Sequence, residues 1–364
     1  MSIDQQERAR LSPAVFRLPV DKIRDGYYSD AYFNYTKELL EADDHHPHVV
    51  MQVFQRKESV LGGIDEAVAV LKQCSGYRGE DGKWVNGFKE LDVRALHEGD
   101  AIEPWETVMT IEGDYALFAH LETVYLGCLA RRTLVMRNVR EVVDAANGKP
   151  ILYFPARHDH WLVQTGDGWA AHVAGAIGVS TDAQASWWGG RGIGTVPHGL
   201  IAAYGGDTAL AARKFAARFA HDMNVTVLVD FANDSVTTAL EVAEALGEDL
   251  WGIRLDTSDK LVDEGLRRRG DETTGVNADL VRLVRSELDA HGHERVRIVV
   301  SGGFTAERIG AFEADSVPVD AYGVGSSLIR GSNDFTADIV LRDGQPAGKV
   351  GREYRPNPRL SRVS

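Results

Sequence analysis

The chain has 364 residues, 44% of them hydrophobic and 26% charged, which is typical of a globular protein with a sizeable core. Its formal net charge of −14 argues against binding to nucleic acid or to an anionic membrane, although a small anionic ligand is compatible with it. Cys74 and Cys128 match neither a disulfide framework nor a zinc knuckle. Because the sequence shows neither a secretory signal nor a run of ~18 apolar residues, we expect a cytoplasmic protein without a membrane span.

The first part of the chain is predicted to mix short strands and helices. Apolar runs indicate a strand over residues 49–56 and a strand with a turn over 105–114, and an amphipathic pattern indicates a helix over 63–74. Residues 114–146 are expected to be mainly helical. The basic tail over 344–360, which is broken by proline, is expected to pack back onto this first part.

From about residue 150 the pattern becomes regular. Strands are predicted over 151–155, 225–230, 250–256, 296–303 and 319–325, and helices over 207–222, 234–246, 277–292 and 305–315. Strands that alternate with helices predict right-handed βαβ units and a parallel sheet. Several of the strands are followed by polar residues or glycine, which favours an α/β barrel with its site at the strand ends. An open doubly wound sheet has the same polarity and is the alternative.

Two glycine-rich loops follow the last two predicted strands. Glycine lets backbone amides approach a phosphate closely, and barrels often bind phosphate at their last two loops. Ordinary tight turns are the alternative interpretation of each loop. The candidate phosphate-binding residues are Ser301, Gly302, Gly303, Gly323, Gly325 and Ser326.

Two other strand ends carry carboxylates. Asp230 ends one strand and Asp256 ends the next, with Arg254 two residues before it. A charge at the end of a buried strand needs a partner, and such carboxylates bind magnesium, sugar hydroxyls or a cationic sugar transition state. Two neighbouring carboxylates have simpler interpretations, Asp234 as a helix N-cap and Asp259 as a solvated loop charge.

Candidate ligand-binding cations and rings lie near these strand ends in the sequence. Arg157 has the fork geometry that binds a carboxylate or phosphate, and Phe154 either stacks on a flat ring or packs in the core. Arg137 lies on a predicted helix rich in arginine, for which a solvated face is the default. The histidine clusters 45–48 and 158–160 lack partners at zinc-site spacing, so no metal-ligating residue is assigned.

The stretch GIGTVPHGL (192–200) contains His198, for which packing, turn chemistry and reactivity are all open from the pattern alone. Together, however, these stretches resemble the nicotinate phosphoribosyltransferases over about residues 25–340. The similar motifs, in the order found in that family, are YSDAYFNYT (28–36), FPARH (154–158), GTVPHGL (194–200), LVDFAND (228–234), GIRLDTSD (252–259), VVSGGF (299–304) and AYGVGSSL (321–328).

The resemblance implies a type II phosphoribosyltransferase fold. It places an N-terminal α/β sandwich domain over residues 13–125, joined by the C-terminal segment 335–364, and an irregular α/β barrel over 126–334. The implied reaction transfers phosphoribose from 5-phosphoribosyl 1-pyrophosphate (PRPP) to nicotinate, in NAD biosynthesis, with Mg²⁺ and coupled to ATP hydrolysis. The implied assembly is a homodimer or a larger homo-oligomer with shared active sites.

The resemblance also implies roles for individual residues. His198 would be phosphorylated by ATP, Asp256 would hold the ribose hydroxyls, and Asp230 would act near magnesium or the ribose. Tyr32 of a neighbouring subunit and Phe154 would stack on the two faces of the pyridine ring. The other implied substrate-binding residues are Arg137, Arg157, Ser180, Asp182, Thr195 and Arg254, beside the glycine-rich phosphate loops.

Some positions depart from the family pattern. Ser180 or Asp182 stands where an aspartate of nicotinamide phosphoribosyltransferases accepts a hydrogen bond from the amide, and a carboxylate there disfavours nicotinate. Phe231 stands where the family usually has a small hydroxyl residue. The alternatives are therefore nicotinamide phosphoribosyltransferase, then quinolinate phosphoribosyltransferase and, from another class, a barrel that binds a phosphometabolite without catalysis.

Overall fold

The computed structural model describes residues 9–364, which form two compact units. One unit extends up to Arg137 and resumes at Gly331–Ser364, and the other is Asn138–Arg330. The sequence analysis put these boundaries at 125/126 and 334/335. The first boundary of the structure lies inside one continuous helix, Glu122–Ala145, whose sequence carries no linker signal.

The first unit is an α/β layer arrangement. Its helices are α1 (Val20–Arg24), α2 (Ala31–Ala42), α3 (Ile64–Cys74) and the first part of α4 (Glu122–Ala145). Its strands are β1 (His48–Phe54), β2 (Ser59–Val60), β3 (Gly76–Arg78), β4 (Trp84–Asn86), β5 (Asp92–Ala95), β6 (Ala101–Ile102), β7 (Thr107–Asp114), β14 (Thr336–Arg342), β15 (Gln345–Pro346) and β16 (Ser361–Arg362).

One antiparallel sheet organises this unit, with the strand order β15-β14-β1-β7-β5-β16. Strand β1 pairs with β14 on one side and with β7 on the other, and its residues are buried except His48. Helix α3 packs its apolar residues into the same core, which includes Val53, Ile64, Leu71 and Met109. The C-terminal residues return to this sheet through β14, β15 and β16, where the sequence analysis expected the basic tail to pack.

A buried carboxyl lies at the start of α3. The Oε2 atom of Glu98 accepts the N–H of Gly63 at 3.1 Å, and its Oε1 accepts the N–H of Asp65 at 3.1 Å. Burial, with a smaller effect of the Asp65 charge, raises the pKa of Glu98 from 4.5 to about 8. Glu98 is therefore protonated in the folded chain over a pH range in which it is ionised in the unfolded chain.

This difference predicts a pH-dependent stability that Glu98→Gln reduces. Because the folded pKa lies above the unfolded one, the contribution of Glu98 is fully present below pH 4.5 and is lost as the pH rises to about 8. One proton changes the free energy of unfolding by at most about 1.4 kcal/mol per pH unit in this window. Urea unfolding at pH 5, 7 and 9 measures the slope, which we expect to be shallower in Glu98→Gln. Glu90→Gln, at an exposed site of the same unit, is the control, and equal slopes in all three proteins would contradict the prediction.

The second unit contains the regular strand–helix alternation. Its strands are β8 (Ile151–Tyr153), β9 (Gly178–Val179), β10 (Val225–Leu228), β11 (Leu250–Leu255), β12 (Arg297–Val300) and β13 (Ala321–Val324). Its helices are the second part of α4, α5 (Gln164–Ala174), α6 (Asp182–Ala185), α7 (His198–Ala203), α8 (Thr208–Phe219), α9 (Ser235–Leu246), α10 (Glu264–Arg267), α11 (Ala278–Ala290) and α12 (Ala306–Ala314).

These six strands form one parallel sheet with the order β10-β11-β12-β13-β8-β9, which confirms the predicted parallel sheet. The gap between the edge strands β9 and β10 is bridged by residues 193–196. The N–H of Ile193 donates to the carbonyl of Val179 at 2.8 Å, and the N–H of Val196 donates to that of Thr226 at 2.8 Å. Val196 also forms a parallel bridge with Val227.

The strand order decides between the two architectures that the sequence allowed. Around the curled sheet the order is β8, β9, the segment 193–196, β10, β11, β12, β13 and β8 again, which is the order along the chain. An open doubly wound sheet reverses its strand order at a switch point, and this sheet does not. The unit is therefore an irregular α/β barrel, as predicted. None of the helices within residues 9–364 combines the length and apolar character needed to cross a bilayer.

Candidate functional site

Five strands of the barrel are followed, within two residues, by a residue that the sequence analysis assigned to the site. Phe154 follows β8, Asp230 lies two residues after β10, Asp256 follows β11, Ser301 follows β12 and Gly325 follows β13. Because the carboxyl ends of parallel strands meet at one edge of a curled sheet, these residues lie at one mouth. The contacts among them fall into a histidine–aspartate pair and a larger polar cluster.

The histidine–aspartate pair joins the bridging segment to β10. His198 begins α7 directly after Pro197, and its Nε2 atom lies 2.8 Å from Oδ1 of Asp230. The Asp230 side chain is 9% exposed and that of His198 is 43% exposed. The pair therefore has a buried acceptor and an accessible imidazole, and in the tautomer with the proton on Nε2 the Nδ1 lone pair is available for reaction.

The electrostatics of Asp230 suit this pairing. Burial raises the pKa of Asp230, the hydrogen bond and charge of His198 oppose this rise, and the charge of Asp256 adds to it. Burial thus makes the ionised form of Asp230 costly, and a hydrogen bond from the His198 imidazole stabilises that form. We conclude that Asp230 and His198 form a hydrogen-bonded pair.

The larger cluster is centred on Ser301. Its Oγ atom accepts a hydrogen bond from Nε of Arg254 at 2.7 Å and donates one to Oδ1 of Asp256 at 2.6 Å. The Arg254 guanidinium lies 5.2 Å from the ring centroid of Phe154. An aromatic face, a cation and a carboxylate are therefore connected in one row at the mouth of the barrel.

Glycine is required where this row approaches the last strand. A Cβ atom at Gly323 would lie 2.9 Å from two ring carbons of Phe154 and 3.3 Å from Cβ of Ser301. A Cβ atom at Gly302, which has a φ of +88°, would lie 3.4 Å from Oδ1 of Asp256. Gly323 therefore allows Phe154 to pack closely on its backbone, and Gly302 is favoured by its left-handed backbone conformation.

The other predicted phosphate-loop residues lie close by. Gly303 also has a positive φ of +70°, and Ser326 begins the 3₁₀ turn Ser326–Ile329 with its Oγ atom accepting a hydrogen bond from Arg330 at 3.3 Å. The imidazole of His158 lies against Gly325, with Cε1 3.0 Å from where a Cβ atom would be. Sequence reasoning considered His158 only as a metal ligand, although its place directly after Arg157 was a signal for the strand-end site.

Ser180 and Asp182 both have local partners. The side-chain oxygen of Gln184 accepts the N–H and Oγ–H of Ser180 at 3.0 and 3.1 Å. Oδ1 of Asp182 accepts the N–H of Gly192 at 2.8 Å. Asp182 therefore anchors the glycine-rich stretch that leads through Thr195, between the two bridging hydrogen bonds, to His198.

The remaining predicted residues are less closely tied to this mouth. Arg157 lies in the exposed 3₁₀ turn Ala156–His158. Tyr32 and Arg137 belong to the other unit. Asp234 is the N-cap of α9, accepting the N–H of Thr237 at 3.2 Å, and Asp259 is exposed, as both were interpreted from the sequence.

The carboxylates at the mouth of the barrel decide which kind of metal ion the site could bind. Within residues 9–364, no group of three or more histidine, cysteine, aspartate or glutamate side chains is arranged to hold a metal ion. Asp230 and Asp256 interact electrostatically, and each already has a partner in the protein. This donor set fits a magnesium ion that takes most of its ligands from substrate phosphates and one or two from carboxylates.

Comparison with known proteins gives consistent matches. A family model described as the N-terminal domain of quinolinate phosphoribosyl transferase matches residues 30–133. Nicotinate phosphoribosyltransferase pncB1 of Mycobacterium tuberculosis is 32% identical over 276 residues, which cover 73% of this chain and 57% of that protein. The chain thus spans little more than half the length of the curated relatives that it matches.

Two solved structures extend this likeness. The nicotinate-nucleotide pyrophosphorylase from Pyrococcus furiosus is 31% identical with a TM-score of 0.77, covering 96% of this chain and 82% of that one. Human nicotinic acid phosphoribosyltransferase has a TM-score of 0.68 at 18% identity, covering 88% of this chain and 76% of that one, and shows a likeness of fold alone.

Proposed function

Because this chain belongs to the nicotinate phosphoribosyltransferase family, we propose that it transfers the 5-phosphoribosyl group of PRPP to the ring nitrogen of nicotinate. The bond from the anomeric carbon to pyrophosphate breaks, a bond from that carbon to the pyridine nitrogen forms, and the products are nicotinate mononucleotide and pyrophosphate. The observation that carries this proposal is the row Phe154, Arg254, Ser301 and Asp256 at the barrel mouth. The product places the reaction in NAD biosynthesis.

The row supplies what such a transfer needs. Phe154 offers a ring face to a pyridine, and Arg254 beside it offers a cation to the nicotinate carboxylate. Asp256 is suited to accept hydrogen bonds from ribose hydroxyls and to stabilise the positive charge that develops on the sugar. The loops that contain Gly303 and Ser326 supply backbone amides for the 5′-phosphate. Catalysis then rests on positioning and electrostatics.

We assign the coupling to ATP to His198. The imidazole is accessible and Asp230 holds its Nε2 atom, so Nδ1 is the nitrogen that accepts the γ-phosphoryl group as ADP leaves. The transferred group brings about two negative charges to the mouth, which would attract cationic side chains there. Asp230 and Asp256 are the residues suited to hold a magnesium ion, which would neutralise charge on the pyrophosphate.

We also propose a homodimer or larger homo-oligomer with shared sites. Helix α2 has no buried residue, and its residues Tyr32, Tyr35 and Leu39 are 59–67% exposed at a spacing of three and four residues. This spacing forms one apolar stripe, and a second copy of the chain would cover it. Tyr32 in this stripe would then reach the pyridine site of the neighbouring subunit.

The stripe predicts that Leu39→Glu weakens assembly. A buried charge in an apolar interface costs several kcal/mol, so at micromolar concentration we expect smaller species in sedimentation velocity and a matching fall in activity. Glu38→Lys changes a charge on the same helix outside the stripe and is the control. An unchanged sedimentation coefficient in Leu39→Glu would count against the assigned interface.

A direct assay tests the function. Mononucleotide formation from PRPP and Mg²⁺ is measured with nicotinate, nicotinamide and quinolinate, each with and without ATP. We expect nicotinate to be preferred and ATP to stimulate its use. Preference for quinolinate without ATP would instead favour the second candidate, which rests on the name of the Pyrococcus furiosus relative and on the matched N-terminal family model. Bound phosphometabolite without turnover would identify the non-catalytic barrel.

The hydrogen bond that Asp182 accepts from Gly192 predicts that Asp182 does not discriminate between pyridine substrates. Because its carboxylate anchors Gly192, we expect Asp182→Ala to lower the ATP-stimulated rate but to change the ratio of kcat/KM for nicotinate and nicotinamide by less than about threefold. Asp207→Ala removes a similar carboxylate cap, from the N–H of Leu210, and is the control. A shift of that ratio beyond about tenfold would identify Asp182 as the specificity residue.

A further inference from the structure

The hydroxyl of Ser301 lies between an arginine and a carboxylate that form an ion pair but no direct hydrogen bond. The closest approach recorded between Arg254 and Asp256 is 3.5 Å, from a terminal guanidinium nitrogen to Oδ2. That distance is too long for a strong hydrogen bond, whereas the two bonds through Ser301 are 2.7 and 2.6 Å. The serine is therefore the hydrogen-bonded link of the pair.

The position of this hydroxyl is fixed by the barrel. Ser301 is 2% exposed, and its N–H donates to the carbonyl of Leu255 at 2.9 Å. The residue thus continues the pairing of β11 with β12, which places its side chain beside Asp256 on the neighbouring strand end. Gly323 leaves the space that this arrangement needs, because a Cβ atom there would lie 3.3 Å from Cβ of Ser301.

The hydrogen-bonding capacity of a serine decides what Ser301 can do. A hydroxyl has one proton to donate, and in this structure the proton is directed to Oδ1 of Asp256, with a longer contact of 3.2 Å to the carbonyl of Leu255. A fully ionised phosphate needs donors, and Ser301 has none left to give it. The sequence analysis placed Ser301 among the phosphate-binding residues, and this geometry favours a different role.

We infer that Ser301 is a positioning residue, which holds Arg254 over Phe154 and turns Asp256 towards the ribose. This inference rests on the proposed function for the identity of the ligands. Ser301 acts through its two neighbours and does not contact phosphate. Loss of the hydroxyl lets Arg254 and Asp256 turn towards each other, which withdraws the cation from the ring and the carboxylate from the sugar.

Binding measurements separate positioning from phosphate contact. The probes are ribose 5-phosphate and inorganic phosphate, titrated calorimetrically into the full chain. In Ser301→Ala we expect affinity for ribose 5-phosphate to fall about tenfold and affinity for phosphate to stay within about twofold of the wild type. Ser301→Thr, which keeps the hydroxyl, is expected to restore most of the ribose 5-phosphate affinity. An equal loss for both probes would make Ser301 a phosphate ligand and overturn the inference.

A second measurement needs no ligand. Urea unfolding of Ser301→Ala, Asp256→Ala and the double variant forms a double-mutant cycle. Non-additive free energies of unfolding support the link, and additive ones overturn it. Ser75→Ala, which removes another buried hydroxyl that donates to a backbone carbonyl, is the control for general destabilisation. Because the cycle uses no substrate, a wild-type chain that fails to form a mononucleotide would refute the proposed function without affecting this result.

Discussion

His198→Ala is expected to abolish the stimulation of mononucleotide formation by ATP and to leave a slower, ATP-independent transfer. Without the imidazole there is no nitrogen to accept a phosphoryl group, whereas the row from Phe154 to Asp256 is untouched. We expect the ATP-stimulated rate to fall at least about tenfold, to the rate without ATP. Initial rates with and without ATP measure this effect, and acid-labile label from γ-labelled ATP measures the phosphohistidine.

The chain provides a matched control for this variant. Nε2 of His221 lies 3.3 Å from Oδ2 of Asp222, and both side chains of this histidine–aspartate pair are exposed. His221→Ala should keep both the ATP stimulation and the label. Asp230→Asn should lose the label although His198 is present, because an amide can donate to Nε2 and so favours the wrong tautomer. Full ATP stimulation in His198→Ala would refute the coupling role.

The other large effect is expected in Asp256→Asn, which should lower kcat/KM for PRPP by about 10²- to 10³-fold. The substitution keeps the shape of the side chain but removes the negative charge that would face the developing cation of the sugar. It also leaves Ser301 facing a neutral amide, so Arg254 loses its charged counterpart. Steady-state kinetics at saturating nicotinate, with PRPP varied, measure the change.

The control for this variant is a carboxylate three residues away. Asp259 is exposed in the loop after β11, and Asp259→Asn should keep kcat/KM within about twofold of the wild type. Thermal unfolding of both variants checks that Asp256→Asn is folded at the assay temperature. A variant that is folded and retains full kcat/KM would remove Asp256 from the proposed mechanism.

The regular half of the chain could be predicted because its signals are local. Runs such as VTVLVD and VRIVVSGG combine β-branched residues with a polar or glycine end, and each became a strand followed by a site residue. The segment 193–196 could not be predicted in the same way. It follows Gly192, contains Gly194 and precedes Pro197, without apolar alternation, and only its two edge-strand partners give it an extended, paired conformation.

In the candidate site, too, individual residues could be predicted from local signals whereas their pairings could not. Asp230 and Asp256 were identified from their place at strand ends, but their partners depend on contacts between distant parts of the chain. Ser301 is 45 residues from Asp256 and His198 is 32 residues from Asp230, so neither pairing has a local signal. The same reason applies to Asp182, whose partner is a backbone N–H that a sequence pattern cannot reveal.

The bridge between β9 and β10 has a consequence for the energetics of the barrel. Each other junction of the ring is a strand pairing, whereas this one depends on the few amide contacts of Ile193 and Val196 next to His198. The ring therefore has one weak seam, and amide hydrogen exchange should be fastest there among the paired strands. A ligand or covalent group that binds more tightly when residues 193–196 are paired stabilises the paired state. The free energy of this stabilisation equals the difference between its binding free energies to the paired and unpaired states. Binding at His198 would then change the free energy of local unfolding of the barrel, and local unfolding would change the free energy of that binding by the same amount.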